Sequence, residues 1–569
     1  MSINTNTSQE EVKLTNLSDL NNHDSNNQQN SHNSQFQTEN EKQQQEPYNI
    51  ENDNSSSNSK IEDQEIQKFL EDDTTSSENF DMIELEANDE ILHLKMKLIN
   101  DTIDEIGFTP YHLKLFFLNG MGYWTDTQLT YLESSVRTFI NYQFGYKFPI
   151  SNEMLAAGLL VGAIFWGFSA DLIGRKIAFN LSLLLSGLFT IITGTMSSMA
   201  SYCIFVFLSC FAAGGNLVLD TCIFLEYLPH KNQWLLTFFA FFWGIGQVIA
   251  VALAYAFLPG NSCESESNCP SHENRGWRYV YYTNGSIVLF MSILRLTVVN
   301  LKETPKFLVS NNRDSEAIEI LHNIAKKYNR PCSLTLEDLE NLGSIKINDD
   351  YRKHVNILGL INLVKHHISI LFSSKKMARS TTLVFLSWLL LGISYPLFSS
   401  FLPQYLATRG ANISAPDVKG VYRDSLISNT VSMGGPIIAG GLLYFFPILG
   451  RRGVLCIGGV SAMAFLFGYT QIKNRAQNVA LSSLSFAAIY IYYAVLYAYT
   501  PEVFPSHARG TGNALAIGCT RVATVIVPLI AYYSNTASSV PIWICGAFVG
   551  VIGFLALLFP YEPSKQRVV

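Results

Sequence analysis

The chain has 569 residues, 48% hydrophobic and 15% charged, with a formal net charge of −7. The acidity is local: residues 1–90 hold 21 acidic residues against 4 lysines, and the remainder holds 35 basic residues against 25 acidic ones. That uneven split excludes a uniformly acidic soluble protein, and the basic part reads as lying close to a membrane rather than to nucleic acid.

The first segment is rich in Asn, Gln and Ser and poor in aromatics. It has too little apolar surface to offset chain entropy, so 1–95 is expected to be a disordered acidic tail. It lacks the basic-then-apolar order of a signal peptide.

Apolar runs follow near 114–140, 150–170, 177–199, 202–225, 234–258, 279–301, 380–403, 425–446, 453–472, 478–500, 512–533 and 541–560. Each is long enough to cross about 30 Å of hydrocarbon. Buried helices of soluble proteins are shorter and more amphipathic. Twelve such runs predict an all-α membrane protein.

The runs fall into two sets of six. Glu226 and Pro229 after the fourth run recur as Glu502 and Pro505 after the tenth, 276 residues on. Gly174-Arg175 after the second run recurs as Gly450-Arg451 after the eighth, again 276 on. This spacing predicts a tail (1–95), a six-helix half (96–301), a linker (302–378), a second six-helix half (379–562) and a short tail (563–569). Parallel repeats of this kind mark transporters, with the substrate site between the halves near mid-membrane. An even number of spans puts both termini on one side, and the basic linker points to the cytosol.

Three charges fall well inside predicted spans: Asp126, Asp220 and Arg521. Such residues are costly in lipid and face a cavity or a partner. Asp126 either trades protons or pairs with a neighbouring cation. Arg521 has no charged residue three or four positions away, so its partner is Asp126, Asp220 or a substrate anion. Glu133 and Arg137, four apart on one span, read as a simple pair. Tyr123, Trp124, Trp243, Trp388 and Tyr395 offer rings for a substrate, and Gln247 lies one turn from Trp243; packing is the commoner use of such aromatics.

Nine cysteines show no metal spacing, and most lie in apolar runs. Cys263 and Cys269 share a polar loop predicted outside, an oxidising side, and form the candidate disulfide. Asn412-Ile413-Ser414 lies in another outer loop, a candidate glycosylation site. No P-loop, GxSxG or HExxH stands in context, so no enzyme, cofactor or metal is expected.

Motifs then point to a family. "GFSADLIGRK" (Gly167 to Lys176) resembles the loop signature of the major facilitator superfamily. "PEVFPSHARG" and "KETPKFLV" resemble elements of its sugar-porter and organic-ion branches. "TIDEIGFTPYHLKLFFLNGMGYWTD" is similar to the first-helix entry of the synaptic vesicle glycoprotein 2 relatives and their fungal cousins. The resemblance implies a cytoplasmic gating network of Gly167, Asp171, Arg175, Lys176, Glu226, Arg451, Arg452, Glu502 and Arg509 that locks the halves together. It also implies proton carriage at Asp126 and, from organic-anion members with an Arg placed like Arg521, an anionic substrate. Tyr444 stands where the second loop would carry an Asp, so that latch is expected to be weaker. The sugar-selective element of hexose porters is absent from "SWLLLGISYPLFSS".

These readings predict a monomeric secondary transporter in the plasma membrane or an endomembrane. The favoured substrate is a small organic anion moved with protons. A sugar or polyol symporter is the alternative, and a non-transporting membrane sensor is the alternative of another class.

Overall fold

The computed structural model describes residues 90–145, 150–263, 269–298, 302–343, 365, 367–408, 418–505, 508–533 and 539–563. The tail through residue 89, Asn412, the last six residues and the side chain of Asp171 lie outside the described residues.

Twelve long helical stretches run through the described residues. In the first half they are α1 (Pro110–Phe144), α2 (Ile150–Ile173), α3 (Arg175–Thr195), α4 (Met199–Ala213 continued by Asn216–Tyr227), α5 (Trp234–Phe238 continued by Ala240–Phe257) and α6 (Gly276–Val298). In the second they are α7 (Lys375–Thr408), α8 (Val418–Ser432 continued by Gly434–Phe445), α9 (Gly450–Tyr469), α10 (Arg475–Val503), α11 (Arg509–Tyr533) and α12 (Val540–Leu555). Ten are long and apolar enough to cross a membrane. The other two, α1 and α6, are long enough but more polar, with Asp126, Glu133 and Arg137 on one and Arg278, Asn284 and Arg295 on the other. Their polar groups turn inward: Gln128 Nε2 of α1 donates to Asn284 Oδ1 of α6 at 2.6 Å, and both residues are fully buried.

Packing follows the sequence repeat. In the first half α1 packs on α5, α2 on α4 and α3 on α6; in the second, α7 packs on α11, α8 on α10 and α9 on α12. Adding six to each helix number converts one set into the other. The same operation exchanges the two main contacts between the halves, α2 with α11 and α5 with α8. Close crossings rest on small residues, as expected where lipid supplies no hydrophobic drive between helices. A Cβ on Gly459 of α9 would stand 2.5 Å from the Cα of Gly553 of α12. One on Gly187 of α3 would stand 2.8 Å from the Leu289 backbone nitrogen of α6.

A buried ion pair fastens α4 to α6. Arg295 Nη2 lies 3.2 Å from Asp220 Oδ1, and the two side chains are 1% and 0% exposed. Arg295 also donates to the carbonyls of Phe179 and Leu118 and lies over the Phe179 ring at 3.7 Å. Asp220, a substrate or proton candidate on sequence grounds, is therefore committed to a neighbour in its own half. Arg295 is a further intramembrane charge, one that the motifs do not single out.

A further helix, Glu90–Ile106, precedes α1 and begins inside the stretch 1–95 expected to be tail. Its Leu92, Met96, Ile99, Ile103 and Ile106 recur every three or four residues and are buried, the pattern of one apolar helix face. Ile99, Ile103 and Ile106 share a core with Leu308, Leu321 and Leu339 of the linker. Linker segments Pro305–Val309, Asp314–Lys327 and Leu336–Glu340 are helical. Lys95 Nζ meets Asp314 Oδ2 at 2.5 Å, and Asp104 Oδ1 accepts from the His230 backbone at 2.7 Å. This helix thus ties the linker to the turn between α4 and α5.

Two outcomes follow for stability in detergent, read as melting temperature. Arg295→Leu leaves the Asp220 charge buried and alone and costs about 3–5 kcal/mol, and adding Asp220→Asn recovers most of that loss. Gly459→Val forces α9 from α12 at a cost of about 1–3 kcal/mol, whereas Gly468→Val, with nothing within 4 Å of its new Cβ, leaves the melting temperature unchanged.

Candidate functional site

Asp126 of α1 and Arg521 of α11 meet between the halves. Arg521 Nη2 donates to Asp126 Oδ1 at 2.9 Å and to Oδ2 at 3.1 Å. The side chains are 2% and 11% exposed. Of the two side chains open to Arg521 on sequence grounds, Asp126 is the one it pairs with, and Asp220 is taken by Arg295.

An aromatic cluster stands beside the pair: Thr520, next to Arg521, donates to the Trp388 carbonyl at 2.7 Å. Tyr493 and Tyr497 of α10 stack with centroids 6.1 Å apart. Trp243 of α5 packs on Tyr493 at 5.1 Å and on Tyr490 at 5.2 Å. Trp388 of α7 packs on Tyr497 at 4.5 Å, with its indole nitrogen donating to Thr500 Oγ1 at 2.9 Å. Thr127 fixes α5 against α1 by donating to the Trp243 carbonyl at 2.8 Å. Two buried donors in this cluster, Arg521 Nε and Trp243 Nε1, have no hydrogen-bond partner among the described residues.

Beyond Asp126, toward the end of α1, hydroxyls bridge the halves. Tyr131 and Tyr395 are 2.7 Å apart, and Tyr395 and Tyr490 are 3.0 Å apart. Gln247 Nε2 donates to Tyr490 Oη at 2.6 Å. Four helices, α1, α5, α7 and α10, converge in this one network. Sequence reading selected Tyr395 and Gln247 but not Tyr131, Tyr490, Tyr493 or Tyr497. The signal was present in "YIYYAVLY": residues 490, 493 and 497 share one helical face. Tyr492 and Tyr499 point elsewhere, donating to the carbonyls of Ile552 and Tyr561.

At the bundle end that carries the two Gly-Arg turns, called here the motif face, the repeat becomes visible as chemistry. Arg175 pairs with Glu226 in the first half. Arg451 pairs with Glu502 in the second, Nη2 to Oε1 at 2.5 Å and Nε to Oε2 at 3.0 Å. Both pairs are almost wholly buried, so the small worth of exposed ion pairs does not apply. Each turn is held by one further carboxylate. Glu303 Oε1 accepts from the Arg175 and Lys176 backbones at 2.7 and 3.2 Å. Glu562 accepts from the Arg451 and Arg452 backbones at 2.7 and 3.2 Å. Gly174 (φ 96°) and Gly450 (φ 60°) take the positive φ that these turns need.

The contacts that cross between halves at this face are different ones. Arg509 Nη1 lies 3.8 Å from Glu226 Oε1. Arg451 Nη1 donates to Thr237 Oγ1 at 2.6 Å and Nη2 to the Gln233 carbonyl at 3.1 Å. Gly167 of α2 lets Ala514 of α11 approach, because a Cβ there would collide with it. Lys176 reaches the network through its backbone alone in the contacts described, and Arg452 stays within its half on the Tyr561 and Pro560 carbonyls. Tyr444 packs against Trp234 of α5 at 5.2 Å, an aromatic contact across the halves. On the opposite face Cys263 and Cys269 are joined by a disulfide, with Cα atoms 5.5 Å apart.

Comparison with known proteins agrees with this geometry. The family profile described as "Sugar (and other) transporter" matches residues 145–567. An uncharacterized MFS-type transporter of Schizosaccharomyces pombe is 38% identical over 494 residues, covering 83% of this chain and 89% of that protein. A protein named MFS siderochrome iron transporter 1 from Ceriporiopsis subvermispora is 37% identical, covering 85% and 94%. Among solved structures, the proton:xylose symporter XylE bound to 6-bromo-6-deoxy-D-glucose superposes with a TM-score of 0.61 at 17% identity, over 81% of this chain and 98% of XylE. That likeness gives the major facilitator fold. With twelve helices in two halves related by the sequence repeat, and with the family profile spanning nearly all of them, this chain belongs to the major facilitator superfamily and is a multi-pass membrane transporter of small molecules, not an enzyme.

Proposed function

We propose that this transporter carries a small aromatic carboxylate together with a proton, by alternating access. The observation that carries the reading is the buried Asp126–Arg521 pair, which spans the two halves beside an aromatic cluster. Without substrate the pair is neutral. A proton on Asp126 removes its charge and frees the guanidinium. A carboxylate then restores neutrality on Arg521. Either ligand alone leaves an uncompensated charge in a poorly solvated site, at a cost of several kcal/mol. Proton and anion therefore enter together, one for one.

Specificity follows from the same side chains. The unpartnered Arg521 Nε and Trp243 Nε1 supply donors for the carboxylate. Trp243, Tyr493 and Tyr497 supply ring faces and edges for a flat apolar body. The Tyr131–Tyr395–Tyr490–Gln247 network serves as the gate on the far side. At the motif face, Arg509–Glu226 and Arg451–Thr237 must part for release. We place that face and the chain's termini in the cytosol, which leaves the disulfide on the oxidising side.

A second reading, carriage of siderochrome iron, is favoured by the name of the 37% identical relative. The two separate in proteoliposomes with an imposed proton gradient, offered benzoate, benzamide or siderochrome iron. Uphill benzoate uptake without benzamide uptake is expected; uptake of siderochrome iron alone selects the second reading.

Linkage fixes the sign of the pH effect. One proton bound per anion makes benzoate affinity fall about tenfold per pH unit above the titration of Asp126. Asp126→Asn flattens this dependence and abolishes uphill accumulation while exchange persists. Affinity that does not change with pH in the wild type would overturn the coupling. Arg521→Lys keeps the charge but loses the planar fork, and weakens benzoate binding about 10- to 100-fold.

A further inference from the structure

A pocket on the face opposite the motifs lies outside the site described above. It is an open depression of about 360 Å³ lined by Ser271, His272, Arg275, Arg278, Tyr279 and Tyr282, at the start of α6. Every lining side chain among the described residues can donate a hydrogen bond, and none of them is a carboxylate. The nearby Glu273 turns to His272 at 3.6 Å, with both side chains more than 60% exposed.

The pocket wall is held in place before any ligand arrives. Arg278 Nη2 donates to the Met196 carbonyl just past α3 at 2.9 Å, and its guanidinium lies 4.1 Å from the Trp277 ring centroid. Its Nη1 is buried and has no hydrogen-bond partner among the described residues. Trp277 is fixed in turn by its indole donating to Gln143 Oε1 at 3.0 Å. Asn274 donates to the Phe139 carbonyl at 2.8 Å, and the Gly276 backbone to the Asn261 carbonyl at 2.7 Å. The Cys263–Cys269 disulfide closes the same loop. A pinned arginine with a free buried donor, a second arginine, and tyrosine and serine hydroxyls together suit a tetrahedral oxyanion.

Location decides which oxyanion. The pocket sits where α3 ends and α6 begins, the depth at which lipid headgroups meet a spanning helix. These two helices pack on each other, whereas the main contacts between the halves are α2 with α11 and α5 with α8. The pocket is thus off the path between the halves. We infer that it is a phosphate site for the headgroup of a phospholipid in the adjoining leaflet.

The test uses the full chain in neutral detergent, read by melting temperature. Dioleoylphosphatidylglycerol is added in one arm, dioleoylglycerol, which lacks the phosphate, in a second, and inorganic phosphate in a third. The phospholipid is expected to raise the melting temperature by about 2–4 °C, and the other two to leave it unchanged. Arg275→Gln and Arg278→Gln each reduce the phospholipid shift to the dioleoylglycerol level. Arg275 is exposed, so that variant folds even if Arg278→Gln does not. An equal shift from dioleoylglycerol, or a full shift retained in Arg275→Gln, overturns the site. A matching shift from inorganic phosphate overturns the lipid assignment.

Discussion

A charge in the bilayer must be neutralised, and this chain does so by pairing. What distinguishes one pair from another is which halves its members belong to. Asp220–Arg295 and Arg175–Glu226 lie wholly in the first half, and Arg451–Glu502 wholly in the second. Such pairs survive any rocking of one half against the other, so they fix each six-helix unit as a body. Asp126–Arg521 and Glu226–Arg509 cross between halves. They hold only while the halves are together. Glu226 belongs to both kinds, anchored by Arg175 and approached by Arg509, so parting the halves never leaves it alone.

Much of this was legible because duplication writes itself into sequence numbers. The offset of 276 maps Arg175 to Arg451 and Glu226 to Glu502, and the fold pairs them within each half accordingly. The carboxylates that cap the two turns were hidden from that rule. Glu303 follows α6 and Glu562 follows α12, but they are 259 apart rather than 276, because the connection between α11 and α12 is shorter than that between α5 and α6 and α12 itself is shorter than α6. Arg295 was hidden for another reason. A lone arginine in an apolar run announces a partner without naming it, and Asp220 comes within reach only because α3 packs on both α4 and α6. Residues 90–95, the first turns of the Glu90–Ile106 helix, read as tail because their charges swamp a heptad-like apolar stripe too short to span a bilayer.

The second loop carries no aspartate, the ground for expecting a weaker latch there. The offset of 276 puts Pro447 opposite Asp171, and Tyr444 lies three residues earlier. In the fold it contacts Trp234 across the halves, and aromatic pairs contribute about 0.5–1.5 kcal/mol beyond the area they bury. The two sides of the motif face are therefore held by different sets of contacts. The buried Arg509–Glu226 pair joins α11 to α4 and the small-residue approach of Gly167 joins α11 to α2, whereas the Trp234–Tyr444 rings and the hydrogen bond from Arg451 to Thr237 hold α5 to the second half.

Helix α11 links the centre of the molecule to its motif face. Arg521 and Arg509 lie twelve residues apart on it, about 18 Å along the axis. Both reach across to the first half, to Asp126 of α1 and Glu226 of α4. On the proposed mechanism, a proton on Asp126 weakens the first of these contacts, and an anion on Arg521 replaces it with a ligand. The helix then loses one of its two charged ties to the opposite half, leaving the 3.8 Å Arg509–Glu226 contact to resist opening. A long ion pair at that distance, already shared with Arg175, is the weaker tie. Coupling in this arrangement needs no chain of side-chain rearrangements. It needs only a rigid helix with one charge at the substrate and another at the gate.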